Sequence, residues 1–155
     1  MDHLIACRIA SYGKFQDKAW SHLPTVGIRN VEMPAPEPGE ITAAKKQLAD
    51  HGLTATSLQG KCQIGKPDVA DDLRTQIHAC SELGAKFLFL SVKKADTPEA
   101  DVWERMRAIG DLAQAEGVTV VMETHPDLVT NGDVGRRTME AINHPAVRIN
   151  YDTAN

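Results

Sequence analysis

The chain has 155 residues, with 17 Lys and Arg against 21 Asp and Glu, and a formal charge of −4. Hydrophobic residues make up 42% of it and aromatics 5%, which excludes a disordered chain and leaves one domain as the natural organisation. The mild acidic balance and scarce aromatics argue against nucleic acid or an anionic membrane as partner, and no apolar run approaches the roughly 18–20 residues that span a bilayer.

The N-terminus, Met1-Asp2-His3-Leu4, has no basic stretch followed by a long apolar one, so no secretory signal is read and Met1 is taken as the natural start. Residues 4–9 read as a first strand and 26–32 as a second. Cys7, Cys62 and Cys80 are odd in number and far apart, forming neither a CxxC pair nor a disulfide framework. Each is expected as a small buried side chain, and a reduced, cytoplasmic setting fits.

After the loop Pro34-Ala35-Pro36-Glu37-Pro38-Gly39 the chain repeats a unit of helix, glycine stop and short strand. The first helix carries Ile41, Ala44 and Leu48 on one face, stops at Gly52 and leads to a strand over 53–58. The second carries Val69, Leu73, Ile77 and Cys80, stops at Gly84 and leads to 87–92. The third carries Val102, Met106, Ile109 and Ala113, stops at Gly117 and leads to 118–124. The i, i+3, i+4 spacing gives each helix one buried stripe. Thr97-Pro98-Glu99 has the form of an N-cap, a first-position proline and an acidic first turn. A further helix over about 133–143 precedes a last strand at 147–151. Several of the strands are nearly continuous apolar runs, the pattern of strands covered on both faces in parallel sheets.

An alternating β-α order fits either an open doubly wound sheet or a (β/α)₈ barrel. Length favours the first. The strand ends favour the second, because Glu32, Gln59, Lys93, Glu123 and Asp152 all fall at or just past the C-terminal end of an expected strand, and a barrel brings those ends to one mouth. Neither GxGxxG nor GxxxxGK[ST] is present, so the phosphate-cradling loops of open sheets are missing.

The strongest local signal is Val120-Val121-Met122-Glu123-Thr124-His125, a carboxylate ending an apolar strand with a histidine two residues on. The next strand end, Asn150-Tyr151-Asp152-Thr153-Ala154-Asn155, carries a second carboxylate. Two carboxylates side by side repel, so either one is protonated or a cation lies between them. Oxygen donors suit Mg²⁺ or Mn²⁺, and imidazole extends the choice to Zn²⁺, Co²⁺ or Fe²⁺.

With these motifs and the glycine-punctuated repeat, the sequence resembles the xylose isomerase-like TIM barrels of the sugar phosphate isomerase/epimerase family. That group includes ketose 3-epimerases, hydroxypyruvate isomerases and inosose dehydratases, with endonuclease IV more distant. The resemblance implies one divalent ion (Mn, Mg, Co or Zn) and a carbohydrate substrate. It implies Glu123 as metal ligand and acid/base, and Asp152 as metal ligand. It places His125, Asn155, Glu32, Gln59 and Lys93 as substrate-binding candidates. Asn155 stands where many members carry a histidine, a departure from the epimerase pattern, and Gln59 stands near where relatives often carry one. The remaining ligands of the family, a His and a second Glu, come from the seventh and eighth strands. Residues 1–155 are thus read as a single domain, the N-terminal three-quarters of a barrel, and an isomerase or epimerase working through an enediolate is the expected function. A keto-inositol dehydratase is the alternative, as is an inactive truncated barrel with a structural or partner-binding role. A homo-oligomer is compatible with either. His3, His22, His51, His78 and His144 are expected as surface or capping residues, Trp20 and Trp103 as helix packing, and Arg136-Arg137 as an exposed helix face.

Overall fold

The glycine stops are where the repeat becomes structure. In a computed structural model of the chain, which describes residues 4–153, Gly52, Gly84 and Gly117 take φ of 61°, 72° and 68°. Only glycine enters that left-handed region without steric cost, so each helix ends there and the chain turns into the next strand.

Strand β1 (Ala6–Arg8) passes through 3₁₀ turns at Ile9–Phe15 into α1 (Gln16–Thr25) and β2 (Asn30–Pro34). Helix α2 (Ile41–Asp50) leads to β3 (Thr54–Gln59), and α3 (Val69–Leu83) to β4 (Phe87–Leu90). Helix α4 (Glu99–Ala115) leads to β5 (Thr119–Glu123), and α5 (Gly132–Ile142) to β6 (Val147–Asn150).

The second strand lies further along the chain than its apolar residues suggest. Helix α1 runs to Thr25, Val26 is 55% exposed and Gly27 turns the chain at φ 83°, so Val26 and Ile28 belong to the connection. The strand then continues to Pro34, which moves Glu32 from the expected strand end to the strand interior. Helix α4 starts at Glu99 with Pro98 as its cap, one residue later than expected: the Pro98 carbonyl accepts from the N–H of Asp101 and of Val102. Helix α5 is capped by Asn131, whose side chain accepts the Val134 N–H at 3.0 Å.

All six strands are parallel and lie in sequence order, each bonded to the next. A doubly wound sheet must reverse its strand order at a switch point. This one does not reverse, and right-handed crossovers then put every helix on the same side, as in a (β/α)₈ barrel. The open-sheet alternative is thereby removed. Six strands make an incomplete barrel wall, with β1 and β6 at the ends of the described sheet.

The core lies between the outer sheet face and the helices. Val31, Leu58, Leu88, Leu90, Val120, Met122 and Val147 are all at most 2% exposed and meet the expected helix stripes, including Leu73, Ile77, Met106 and Ile109 at 0 to 1%. Each large side chain buried this way contributes about 1.5–3 kcal/mol. The alternate strand positions face inward: Glu32 on β2, Ser57 and Gln59 on β3, Phe87 and Phe89 on β4, Val121 and Glu123 on β5, Asn150 on β6. The wall therefore turns an apolar face to its helices and a mixed, polar-edged face to the barrel interior. No helix among the described residues is long and apolar enough to cross a membrane.

Candidate acidic mouth of the barrel

Glu123 owes its position to the two-residue period of β5. Val120 and Met122 point at the helices, so Val121 and Glu123 point inward, and Glu123 stands in register with Asn150 of β6. Asp152 follows Asn150 by two residues. Thr124, the residue between Glu123 and His125, holds the two strand ends together. Its N–H donates to the Asn150 carbonyl at 3.1 Å, and its Oγ1 accepts the Asp152 N–H at 2.8 Å. The hydroxyl is also 3.2 Å from the Asp152 carbonyl, to which it donates. Two half-buried carboxylates thus end neighbouring strands at the C-terminal edge of the sheet. Among the described residues no group of three or more His, Cys, Asp or Glu side chains comes together as a metal cage.

The other expected residues divide. Glu32, inside β2, accepts a 2.7 Å hydrogen bond from the Ser57 hydroxyl on β3. Gln59, the last residue of β3, accepts the Arg8 Nε–H at 3.1 Å. His125 is half-buried, with Nδ1 2.8 Å from the Pro126 carbonyl. A carbonyl only accepts, so Nδ1 carries the proton and Nε2 of the neutral ring is left as an acceptor. Its main chain is also engaged, its carbonyl taking the Val129 N–H at 3.2 Å. Lys93 is exposed in the loop after β4. That loop is tied across to the loop after β5, since the Lys94 N–H donates to the Asp127 carboxylate at 3.2 Å, and it contains Ala95 at φ 46°. Asn155 lies outside the described residues, as does His3.

Arg8 and Ser57 are inward-facing residues that motif reading passed over, and Asn150, part of the second motif, faces inward with them. The signal that could have found Arg8 is its position: it ends the first strand as Gln59 and Glu123 end theirs. A cavity of about 250 Å³ on the inner face is lined by Glu32, Ser57, Phe87, Phe89, Val121 and Asn150, among others. Arg148, also in an inward register position, spends its Nη1 on the His144 and Val147 carbonyls, both at 2.8 Å, near the start of its strand. The strand ends therefore carry the carboxylates of Glu123 and Asp152 with Arg8 as a cation, and Glu32 lies inside β2.

Outside the mouth, histidines act as structural groups. His22 bonds the Tyr12 hydroxyl at 2.7 Å, His51 stacks near Trp20 with ring centroids 6.1 Å apart, and His78 lies 3.6 Å from Glu116 at the surface. His144 is more buried than expected, its side chain 10% exposed and bonded to Asp111 at 3.2 Å. Trp20 and Trp103 pack half-buried against the core, and Arg136 makes an exposed pair with Glu140 at 2.9 Å.

Parallel strands in unbroken order, helices on one side and carboxylates at the C-terminal strand ends make the plan of a (β/α)₈-barrel protein. Residues 23–155 match the xylose isomerase-like TIM barrel family, and the chain belongs to it. Its fold is that of a xylose isomerase-like TIM barrel protein from Mycobacterium smegmatis in complex with magnesium, with TM-score 0.76 and 19% identity over 94% of this chain and 63% of that one. D-allulose 3-epimerase from Methylomonas sp., in complex with D-allulose, is similar at TM-score 0.78 and 17% identity over 99% of this chain and 64% of the other. An L-ribulose 3-epimerase is similar at TM-score 0.74 and 17% identity, over 96% and 60%. The chain spans less than two thirds of the length of each of these proteins. No curated protein matches it in sequence.

Proposed function

We propose that the chain is the larger part of a divalent-metal-dependent sugar or sugar phosphate isomerase or epimerase. The observation that carries this reading is the Thr124 clasp, which joins the strand ends bearing Glu123 and Asp152 at the barrel mouth. Epimerases among the proteins of similar fold support the same class of substrate.

The donor set fits part of a metal site. Glu123 and Asp152 offer hard oxygens, which suit Mg²⁺ or Mn²⁺, with Co²⁺ or Zn²⁺ as further candidates. Among the described residues no cage of three side chains is present, so in this reading water or substrate oxygens complete the coordination. A bound divalent ion supplies the charge that polarises a carbonyl and its neighbouring hydroxyl. Glu123 removes the proton from the carbon beside that carbonyl to leave an enediolate; in isomerisation the proton returns to the former carbonyl carbon while the hydroxyl proton passes to the other oxygen, and in epimerisation the same carbon is reprotonated from its opposite face. Asp152 holds its position beside Glu123 through the backbone bonds of Thr124. His125, with Nε2 as acceptor, receives a substrate hydroxyl; Glu32 and Gln59 orient further hydroxyls, Lys93 in the loop after β4 offers a charge to a substrate phosphate or carboxylate, and Asn155 is a further contact.

The test is Mn²⁺ titration of the 155-residue chain and of Glu123→Gln and Asp152→Asn, followed by solvent deuterium uptake into D-fructose in the longest form of the protein that folds. Weak Mn²⁺ binding that both substitutions reduce is expected. Glu123→Gln is also expected to lose deuterium uptake by a factor of about 10²–10⁴. Mn²⁺ affinity equal in all three proteins ends the metal assignment, and uptake retained in Glu123→Gln removes that residue as the base.

A further inference from the structure

The carboxylates of Glu123 and Asp152 at the strand ends repel an anionic substrate unless a cation is placed to receive its charge. Arg8 is such a cation, and its environment differs from that of the chain's structural arginines. Arg105 is spent on the Ile64 carbonyl at 2.7 Å, Arg107 on the Ala141 carbonyl at 2.9 Å, and Arg148 on two carbonyls. Arg136 and Arg74 pair with carboxylates of their own helices. Arg8 instead gives its Nε–H to the neutral amide oxygen of Gln59, two strands away on the inner face. That bond orients the guanidinium without cancelling its charge. The carboxylate in register with Arg8, that of Glu32, is bonded by Ser57 at 2.7 Å. Among the described residues Nη1 and Nη2 of Arg8 make no hydrogen bond, and the side chain is exposed. A guanidinium fixed at Nε presents its two Nη groups as a parallel pair, the geometry that takes an oxyanion at two points.

We infer that Arg8, oriented by Gln59, is the anion-recognition residue of this mouth, so that the substrate is an acidic keto sugar whose carboxylate or phosphate lies at the end of β1 while its carbonyl lies at Glu123. The inference rests on the proposed isomerase site for the position of the carbonyl, but the anion contact is measurable without metal or turnover. Carboxylate and phosphate share the chemistry Arg8 reads. Arg8 binds substrate directly, and Gln59 acts as a positioning residue.

The experiment titrates the 155-residue chain, in metal-free buffer with chelator, with 2-keto-D-gluconate, D-fructose 6-phosphate and D-fructose, following affinity and the Arg8 Nε–H resonance. At least one anion is expected to bind about tenfold or more tightly than D-fructose, with affinity falling as salt rises. Which anion wins identifies the charged group. Arg8→Met is expected to erase the preference, so that the anions bind no more tightly than D-fructose, with a urea midpoint close to that of the parent chain because the side chain is exposed. Arg8→Lys keeps the charge but loses the fork, and should retain only part of the preference. Gln59→Leu should weaken binding of the anions severalfold while leaving D-fructose affinity and the urea midpoint close to those of the parent chain, a split that a merely structural glutamine would not produce. Anions that bind no better than D-fructose, or equally well to Arg8→Met, overturn the inference. Glu123→Gln separates the two readings. It removes the proposed metal ligand, and it is expected to leave the anion preference in place even if the Mn²⁺ titration goes against the metal site.

Discussion

At Gly110, in the middle of α4, a Cβ would stand 2.4 Å from Nδ1 of His144, because the imidazole is wedged against the helix backbone. The ring is held from both sides: Nδ1 accepts the Ala146 N–H at 3.1 Å and Nε2 donates to the Asp111 carboxylate at 3.2 Å. A helical glycine normally gains about 1 kcal/mol on replacement by alanine. Here the ring cannot yield without losing those bonds, so Gly110→Ala is expected to destabilise the protein by about 1–3 kcal/mol in urea denaturation. Gly110→Ala made in a His144→Ala background should lose most of that cost; a stabilised single variant would sink the wedge. The thiols of buried Cys80 and half-buried Cys62 set a second residue-scale behaviour. Burial pushes the thiols of Cys62 and Cys80 up to about 12, from 9.0. A folded-state pKa raised above the unfolded one gives stability that is fully present below about pH 9 and is lost as pH climbs toward 12. Unfolding free energy measured across that window should fall by up to about 1.4 kcal/mol per pH unit for each thiol. A flat alkaline limb would show that these thiols ionise as freely folded as unfolded.

At the scale of elements, the mouth depends on how β5 is fastened to β6. The ladder itself ends at Glu123 and Asn150, and beyond it the Thr124 hydroxyl carries the chain to Asp152. Thr124→Val keeps the shape and removes the hydroxyl, leaving the Asp152 N–H without that acceptor, at a cost of about 1–3 kcal/mol. Amide hydrogen exchange is expected to show protection lost at Asp152 but kept at the outward-facing core residue Met122. Protection unchanged at Asp152 would mean that another contact fixes the strand end. The loop after β3 is fastened differently, by Arg105 of α4 reaching the Ile64 carbonyl at 2.7 Å, so that a helix interior and a mouth loop are coupled.

The whole molecule is a curved wall with helices on its outer side. Strands β1 and β6 each lack a partner on one side within the described sheet, and apolar side chains stand beside them: Leu4 is 74% exposed, Ile5 70% and Tyr151 79%. On the inner face Phe87 is 46% exposed. Unpaired strand edges and exposed apolar surface template further pairing. The isolated 155-residue chain is therefore expected to self-associate with rising concentration, and sedimentation velocity is the direct measure. A monomer at every concentration would contradict this.

Much of this architecture can be read from residues alone, because helix stripes, glycine stops and apolar strands are local patterns with local causes. Val69, Leu73, Ile77 and Cys80 share a face at any helix of that period, and Gly84 ends it whatever surrounds it. The start of β2 was not legible, since Val26 and Ile28 are as apolar as strand residues and only the packing of α1 shows that they belong to a turn. The same holds for Glu32, whose strand interior position follows from β2 continuing to Pro34. Glu123 and Asp152 were legible as strand-end carboxylates; the bond that unites their strands was not, because Thr124 contacts a residue 28 positions away. Arg8 gave no motif at all. Its meaning depends on Gln59, 51 residues on, which accepts one N–H and leaves the charge standing. Sequence determines what each segment becomes through interactions a few residues apart, whereas the tertiary structure alone decides which segment ends face one another, because strand order and register bring together groups that share no local pattern.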